Sequence, residues 1–329
     1  MDSQSKKILI TGGCGYVGRR VAFALAAKGC EVIVVDIATP EERGIVFPQG
    51  VEFRQADLRI PSEAKDTVCG AFFVLHLAAD IGALMYMETH QAEILTNNTL
   101  IDAALYPVFK ENGIEHVIYS SSSMVFERPP HFPYVESDFD ALLFPKNVYG
   151  FSKLSGEYFC RSYAKQYGLS YTILRFHNIY GPGEDSKGST PGDIHVIPAL
   201  IEKVVNGQYP LEFLGDPGAT RPFTYIDDAV LAVVAIIERA VEKDVSVLNQ
   251  DFNIGNDTHH TILELGTIIW SMFGDGREFA YTVKETKALT AYRREVDITK
   301  MRTVIGWEPT TSLEKGLEVT KEWIVERNK

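Results

Sequence analysis

The segment that most restricts the fold lies near the start of the chain. An apolar run over residues 7–11 leads into Gly12-Gly13-Cys14-Gly15-Tyr16-Val17-Gly18, and a helical pattern begins at once from Arg19. Gly12 suits a tight turn, Gly15 lets the backbone approach a pyrophosphate, and Gly18 lets the new helix pack closely on the strand before it. The start of that helix points free N–H groups and the positive end of its dipole at the phosphates. A glycine triplet alone is weak evidence. Here a strand precedes it, a helix follows it, and Asp36 closes the next apolar run eighteen residues past Gly18. An acid there accepts hydrogen bonds from both hydroxyls of an adenosine ribose, while Ile37, Ala38 and Thr39 bring no cation for a 2′-phosphate. The pattern predicts NAD rather than NADP, held by Gly12, Gly15, Tyr16, Val17, Gly18 and Asp36. Asp57 and Leu58, closing the third run, are placed to contact adenine, although an acid at a strand end is as often a turn former.

The first half alternates short β-rich runs, at 7–11, 31–36, 51–55, 72–78, 116–121 and 171–176, with helical patterns. Ile94, Leu95, Asn98, Ile101 and Leu105 repeat at helical spacing, as do Leu154, Tyr158 and Phe159 before a stop at Gly168. This predicts an α/β fold, a doubly wound parallel sheet of the Rossmann kind with helices on both faces. Gly181, Pro182, Gly183 and the Gly-rich stretch 188–192 mark a lobe boundary near residue 180. Residues 1–180 then form the NAD-binding domain and 181–329 a smaller α/β substrate lobe, with some later segments returning to the first domain. Thr261-x-x-Glu264 and Thr311-x-x-Glu314 read as capping boxes opening two helices, the second running to the C-terminus.

Composition narrows the partners. At 329 residues and 45% hydrophobic content the chain buries a core larger than one lobe needs, and its net charge of −12 repels nucleic acid and anionic membranes. No apolar run approaches a membrane span, and the opening MDSQSKKILITGG lacks a signal-peptide core. Cys14, Cys30, Cys69 and Cys160 are scattered and fit no metal-ligand spacing, so we expect a reduced, cytoplasmic protein without a metal.

Tyr149 and Lys153 stand four apart at the start of a helical pattern, so both project from one face. A nearby ammonium and the positive nicotinamide both favour a phenolate, which makes Tyr149 a usable base. Alone this spacing is a common accident. It gains weight because the run 116–121 ends in Ser120-Ser121-Ser122-Ser123, at the edge of the sheet where such folds bind ligands.

At this point the sequence resembles the extended short-chain dehydrogenase/reductases, in particular the NAD-dependent epimerase/dehydratase group, over nearly its whole length. TGGCGYVG, the Asp57-Leu58 pair, HLAA from His76, SSSSMVF, YGFSK, RFHNIYGP, RPFTYIDD and DITKMRTVIGWEP carry the resemblance. It implies Ser122, Tyr149 and Lys153 as the catalytic set, with Tyr149 and Lys153 also against the cofactor beside Leu77, Ala78 and Ala79. It implies a nucleotide diphosphate sugar as substrate, held by Ser122, Ser123, Met124, Asn178, Lys187, Arg221 and either Arg293 or Arg294. It also implies a homodimer, paired through the helix that carries Phe151, Tyr158, Phe159 and Tyr163.

In this family the residue two places beyond the catalytic serine selects the reaction, and here it is Met124. Sugar 4,6-dehydratases carry Asp-Glu at the positions of Ser123 and Met124, and UDP-glucuronate decarboxylases carry Glu at the second. A thioether exchanges no protons. AADIGALMYM, NNTLIDAAL and RFHNIYGP look closest to GDP-mannose 3,5-epimerases, whose cysteine–lysine pair falls on Met124 and Lys187, so one partner is missing. The resemblance therefore implies 4-epimerisation through a transient 4-keto sugar. Three alternatives stay open: a 3,5-epimerase-like or dehydratase-like enzyme using Lys187, a 3β-hydroxysteroid-type dehydrogenase, and a non-catalytic NAD-binding protein. Neither His177 nor His195 receives a role from the sequence.

Overall fold

The computed structural model describes residues 7–184, 194–286 and 291–327. The chain begins with β1 (Ile8–Thr11), α1 (Tyr16–Ala27), β2 (Val32–Asp36), β3 (Val51–Gln55), α2 (Pro61–Val68), β4 (Phe73–His76), α3 (Leu84–Thr89) and α4 (Gln91–Glu111). It continues through β5 (His116–Ser122), α5 (Val148–Tyr167), β6 (Ser170–Phe176), β7 (Ile179–Tyr180), α6 (Val196–Val205), β8 (Leu211–Leu214), β9 (Thr220–Pro222) and β10 (Thr224–Tyr225). Last come α7 (Ile226–Val241), β11 (Gln250–Ile254), β12 (His259–Thr261), α8 (Ile262–Phe273), β13 (Tyr281–Lys284) and α9 (Leu313–Arg327).

Seven strands in the order β11-β6-β5-β4-β1-β2-β3 form one parallel sheet. β1, β2 and β4 are apolar on both faces because helices cover both, and the expected runs fall on strands with ends within two residues. The order reverses at β1, so the crevice of the switch point opens beyond the C-terminal ends of β1 and β4. β11 comes from beyond residue 180 and closes one edge of the sheet against β6. The remaining strands pair as β7 with β10, β9 with β12 and β8 with β13.

Most helices show why they stop and start. Asn147 caps α5 by accepting from Gly150 N at 3.1 Å, and Gly168, at φ 75°, ends it. Gly156 brings α5 close to the sheet, since a Cβ there would lie 1.9 Å from the Tyr119 hydroxyl oxygen. Thr261 and Glu264 form the expected reciprocal box at the start of α8. The expected box from Thr311 does not form. Asp228 on α7 takes the backbone N–H groups of Thr310 and Thr311, and Ser312 caps α9 instead, accepting from Lys315 N at 3.2 Å. No helix among the described residues is long and apolar enough to cross a membrane.

Candidate active site

The glycine-rich turn is built as its sequence implies. Gly12 takes a left-handed conformation at φ 68°, and a Cβ at Gly18 would lie 2.4 Å from the Gly12 carbonyl oxygen. Gly15, the N-cap of α1, has no side chain to satisfy the first-turn N–H groups, which leaves them available for a phosphate. Asp36 faces the turn. Its Oδ2 accepts from Cys14 N at 3.0 Å and its Oδ1 from Ala38 N at 3.1 Å, which fixes the carboxylate while each oxygen keeps capacity for a ribose hydroxyl.

One continuous cavity of about 1300 Å³ runs from this turn into the later elements. Gly12, Gly15, Tyr16, Val17, Gly18, Asp36, Asp57, Leu58, Leu77, Ala78 and Ala79 line its first part. Asp57 is less available than its position suggests, because Arg59 grips it through Nε at 2.8 Å and Nη2 at 2.6 Å and holds its carboxyl below the usual range. Three groups here escaped the sequence reading. Asp80 accepts from the Tyr86 hydroxyl and from Asn97 Nδ2, both at 2.8 Å, at the mouth of β4. The acid directly after His76-Leu77-Ala78-Ala79 was the signal for them.

Further in, β5 and α5 bring Ser122, Ser123, Met124, Tyr149 and Lys153 together in the same cavity. Ser122 Oγ accepts from Met124 N at 3.1 Å, and its hydroxyl lies close enough to Tyr149 to favour the phenolate. Lys153 Nζ donates to the Ser120 carbonyl at 2.8 Å and lies 6.0 Å from the centre of the Tyr149 ring. Burial pushes the Tyr149 phenol well up, with the Ser122 hydroxyl countering it. Burial also pulls Lys153 down to about 8, with Asp102 opposing. The expectation that the ammonium lowers the phenol is therefore corrected for the chain by itself: Lys153 points at a carbonyl, and desolvation of the ring dominates.

Behind these groups two buried chains hold the strands in place. Thr11 Oγ1, His76 and Asp102 are linked at 2.7 and 2.9 Å. Ser121 donates to Glu157, which pairs with Arg175, and Arg175 reaches Asp251 on β11 at 2.7 Å. Neighbouring residues on β5 are thus anchored from below while Ser122 faces the cavity.

The later wall of the cavity is cationic. Arg221 and Arg294 are both buried there, and Arg221 donates to the Thr220 carbonyl at 2.6 Å. Burial, and after it Arg294, pulls Arg221 down to about 9. Burial likewise lowers Arg294, whose Nη2 meets the Met124 sulfur. Two like charges in a closed wall fit an anionic ligand. Asn178, held at φ 43°, adds a buried Nδ2 with no hydrogen-bond partner, a donor suited to the same ligand. Arg293, the alternative to Arg294, pairs instead with Glu295 on the surface. Lys187 lies outside the described residues. His177 is fully buried, hydrogen-bonded to the Tyr134 hydroxyl at 3.2 Å and pulled by burial to about 3. His195 reaches the cavity, its Nδ1 joined to the buried Glu184; burial opposes its protonation, but that carboxylate raises it overall.

A dinucleotide turn, an acid for the ribose and a Ser–Tyr–Lys set in one cleft define a nicotinamide-dependent enzyme of the short-chain dehydrogenase type. The chain matches the NAD dependent epimerase/dehydratase family over residues 8–255 and belongs to it. It is 30% identical to GDP-mannose 3,5-epimerase 1 of Oryza sativa subsp. japonica, over 99% of this chain and 83% of that one. Its fold superposes on UDP-glucose 4-epimerase of Thermotoga maritima, solved with UDP-glucose, at a TM-score of 0.84 and 27% identity, covering 98% and 100% of the two chains. UDP-glucuronic acid 4-epimerase of Bacillus cereus, solved with UDP-glucuronic acid and NAD, gives 0.83 and 25%, covering 98% and 99%.

Proposed function

We propose that this chain is a nucleotide-sugar 4-epimerase that keeps NAD as a resident cofactor. One observation carries the reading: Ser122, Tyr149 and Lys153 converge in the cofactor's cavity, while Met124 fills the place of a second proton shuttle. NAD, when bound, supplies the acceptor and later the donor of a hydride, and its oxidised ring brings a positive charge. Gly12, Gly15 and Gly18 would leave room for its pyrophosphate, Asp36 would hold its adenosine ribose, and Leu77, Ala78 and Ala79 would support it from the segment after β4.

Ser122 hydrogen-bonds the sugar's 4-oxygen and Tyr149 takes its proton. The positive charge that oxidised NAD would bring beside the ring favours the phenolate, which matters because burial keeps Tyr149 protonated, while Lys153 ties α5 to the Ser120 carbonyl. Tyr149 returns the proton once the 4-keto sugar has presented its other face. Asn178, Arg221 and Arg294 hold the diphosphate, and residues 181–329 serve mainly as the substrate lobe. Their cationic wall disfavours a sterol, and the complete Ser–Tyr–Lys set disfavours a non-catalytic NAD binder. We also infer a homodimer paired through α5 and a cytoplasmic location.

Turnover in deuterated water tests the reaction. A 4-epimerase conserves the C4 hydrogen, so mass spectrometry of the recovered sugar finds no carbon-bound deuterium. A gain of one mass unit or more, lost in Lys187→Ala, replaces this reading with a 3,5-epimerase-like or dehydratase-like one. Relatives are named for both GDP- and UDP-sugars, so kinship leaves the base open.

A further inference from the structure

The cavity does not end at the two arginines. From Arg221 its wall runs back along Ala219, Asp216 and Gly215 to Leu214 and Glu212 on β8. β8 alternates. Leu211 and Phe213 are buried, and both would meet a Cβ built at Gly266 on α8, while Glu212 and Leu214 stay partly exposed on the other face. Glu212 meets two polar partners at this end. Lys203 of α6 donates through Nζ to the Glu212 carbonyl at 2.7 Å, and its ammonium stands 3.6 Å from the Glu212 carboxylate. Gln208 accepts from Glu212 N at 3.3 Å, which ties the turn after α6 to the start of the strand.

The side chains of Lys203 and Glu212 are only 21% and 34% exposed, so a ligand group exchanging hydrogen bonds with them does so partly out of water. At 3.6 Å the ammonium and carboxylate are neighbours without a closed hydrogen bond, and the carboxylate keeps acceptor capacity on both oxygens.

Resting on the reading of the ligand as a nucleoside diphosphate sugar, we propose that Glu212 reads the base and that the base is guanine. A carboxylate presents two acceptors side by side and no donor. Guanine alone offers two adjacent donors, N1–H and the N2 amino group, with O6 next to them for the Lys203 ammonium. Uracil and thymine offer one N–H flanked by two carbonyl oxygens, which sets one carboxylate oxygen against a like partial charge. Adenine and cytosine place a ring acceptor beside their amino donor and meet the same conflict. A site built to hydrogen-bond one edge rejects a ligand that lacks it, because its own polar groups are then left unpaired.

The test is isothermal titration of the NAD-loaded protein with GDP, UDP, dTDP, CDP and ADP, repeated with Glu212→Gln. We expect GDP to bind at least about tenfold more tightly than the other four, and Glu212→Gln to bring GDP and UDP to within about threefold of each other. UDP, dTDP, CDP or ADP binding as tightly as GDP overturns the proposal and leaves the 4-epimerase reading standing. A Glu212→Gln protein that keeps the full GDP preference also overturns it. Should that variant not fold, the five-ligand series on the unaltered protein decides alone. Failure of every nucleoside diphosphate to bind overturns both this proposal and the nucleotide-sugar reading.

Discussion

Tyr149 is where sequence and structure bear on the same atom from opposite sides. The spacing to Lys153 marks it as a base, yet 6% exposure and the direction of Lys153 towards Ser120 make the neutral phenol the resting form. A base that is neutral at rest needs the cofactor's charge to work. Tyr149→Phe removes only the hydroxyl, so we expect the protein to fold and keep NAD while kcat falls about 10²- to 10⁴-fold. Steady-state rates with NAD titrations check this, and near-normal turnover would remove Tyr149 from the proton transfer. That Asp36, Tyr149 and Lys153 face one cavity was legible because each sits at a fixed offset from a strand end or helix start, whereas Ser122 was singled out among four serines by resemblance alone. The choice between Arg293 and Arg294 was not legible, since it depends on which way two adjacent side chains leave one backbone segment.

At the scale of elements, β1, β2 and β4 were legible because burial on both faces writes them as apolar runs, whereas β11, QDFNI, carries too few apolar residues to stand out and was missed. Contacts between distant elements were not legible either. Asp228 lies 83 residues from Thr311 in sequence and takes its N–H, which moves the cap of α9 to Ser312. The pair β5 and β6 yields a pH prediction of its own. His116 on β5 meets Ser170 at 3.0 Å and Thr172 at 2.9 Å, both on β6, and burial pulls it from 6.5 to about 4. The unfolded chain takes up that proton as pH falls through 6.5, whereas the folded chain resists until about 4. This part of the stability is therefore full above pH 6.5 and declines towards pH 4, by about 3 kcal/mol at most. Urea melts at pH 7 and pH 5 should show His116→Gln losing less stability than the unaltered protein, by about 2 kcal/mol. Equal losses would mean that folding does not shift the titration of His116.

The whole molecule sets a local cationic wall, Arg221 and Arg294, inside a chain of net charge −12, which concentrates an anionic ligand in one cleft and repels it elsewhere. Its outer surface carries a second signal. On α5, Phe151 and Tyr158 stand seven residues apart on one face and are 41% and 52% exposed. Phe144 is exposed beside them, its ring 6.5 Å from that of Phe151, and Leu100 is exposed on α4, which packs along α5. Large rings left in water on two packed helices are covered when a second copy applies the same face about a two-fold axis. Light scattering at micromolar concentration should then give twice the mass of one chain, and replacing Phe151 and Tyr158 together by Glu should halve it by charging the centre of the face. Neither residue lines the cavity, so the double variant should keep NAD binding, which separates loss of pairing from loss of fold. An unaltered chain that scatters as a single copy would show that these rings serve no symmetric contact.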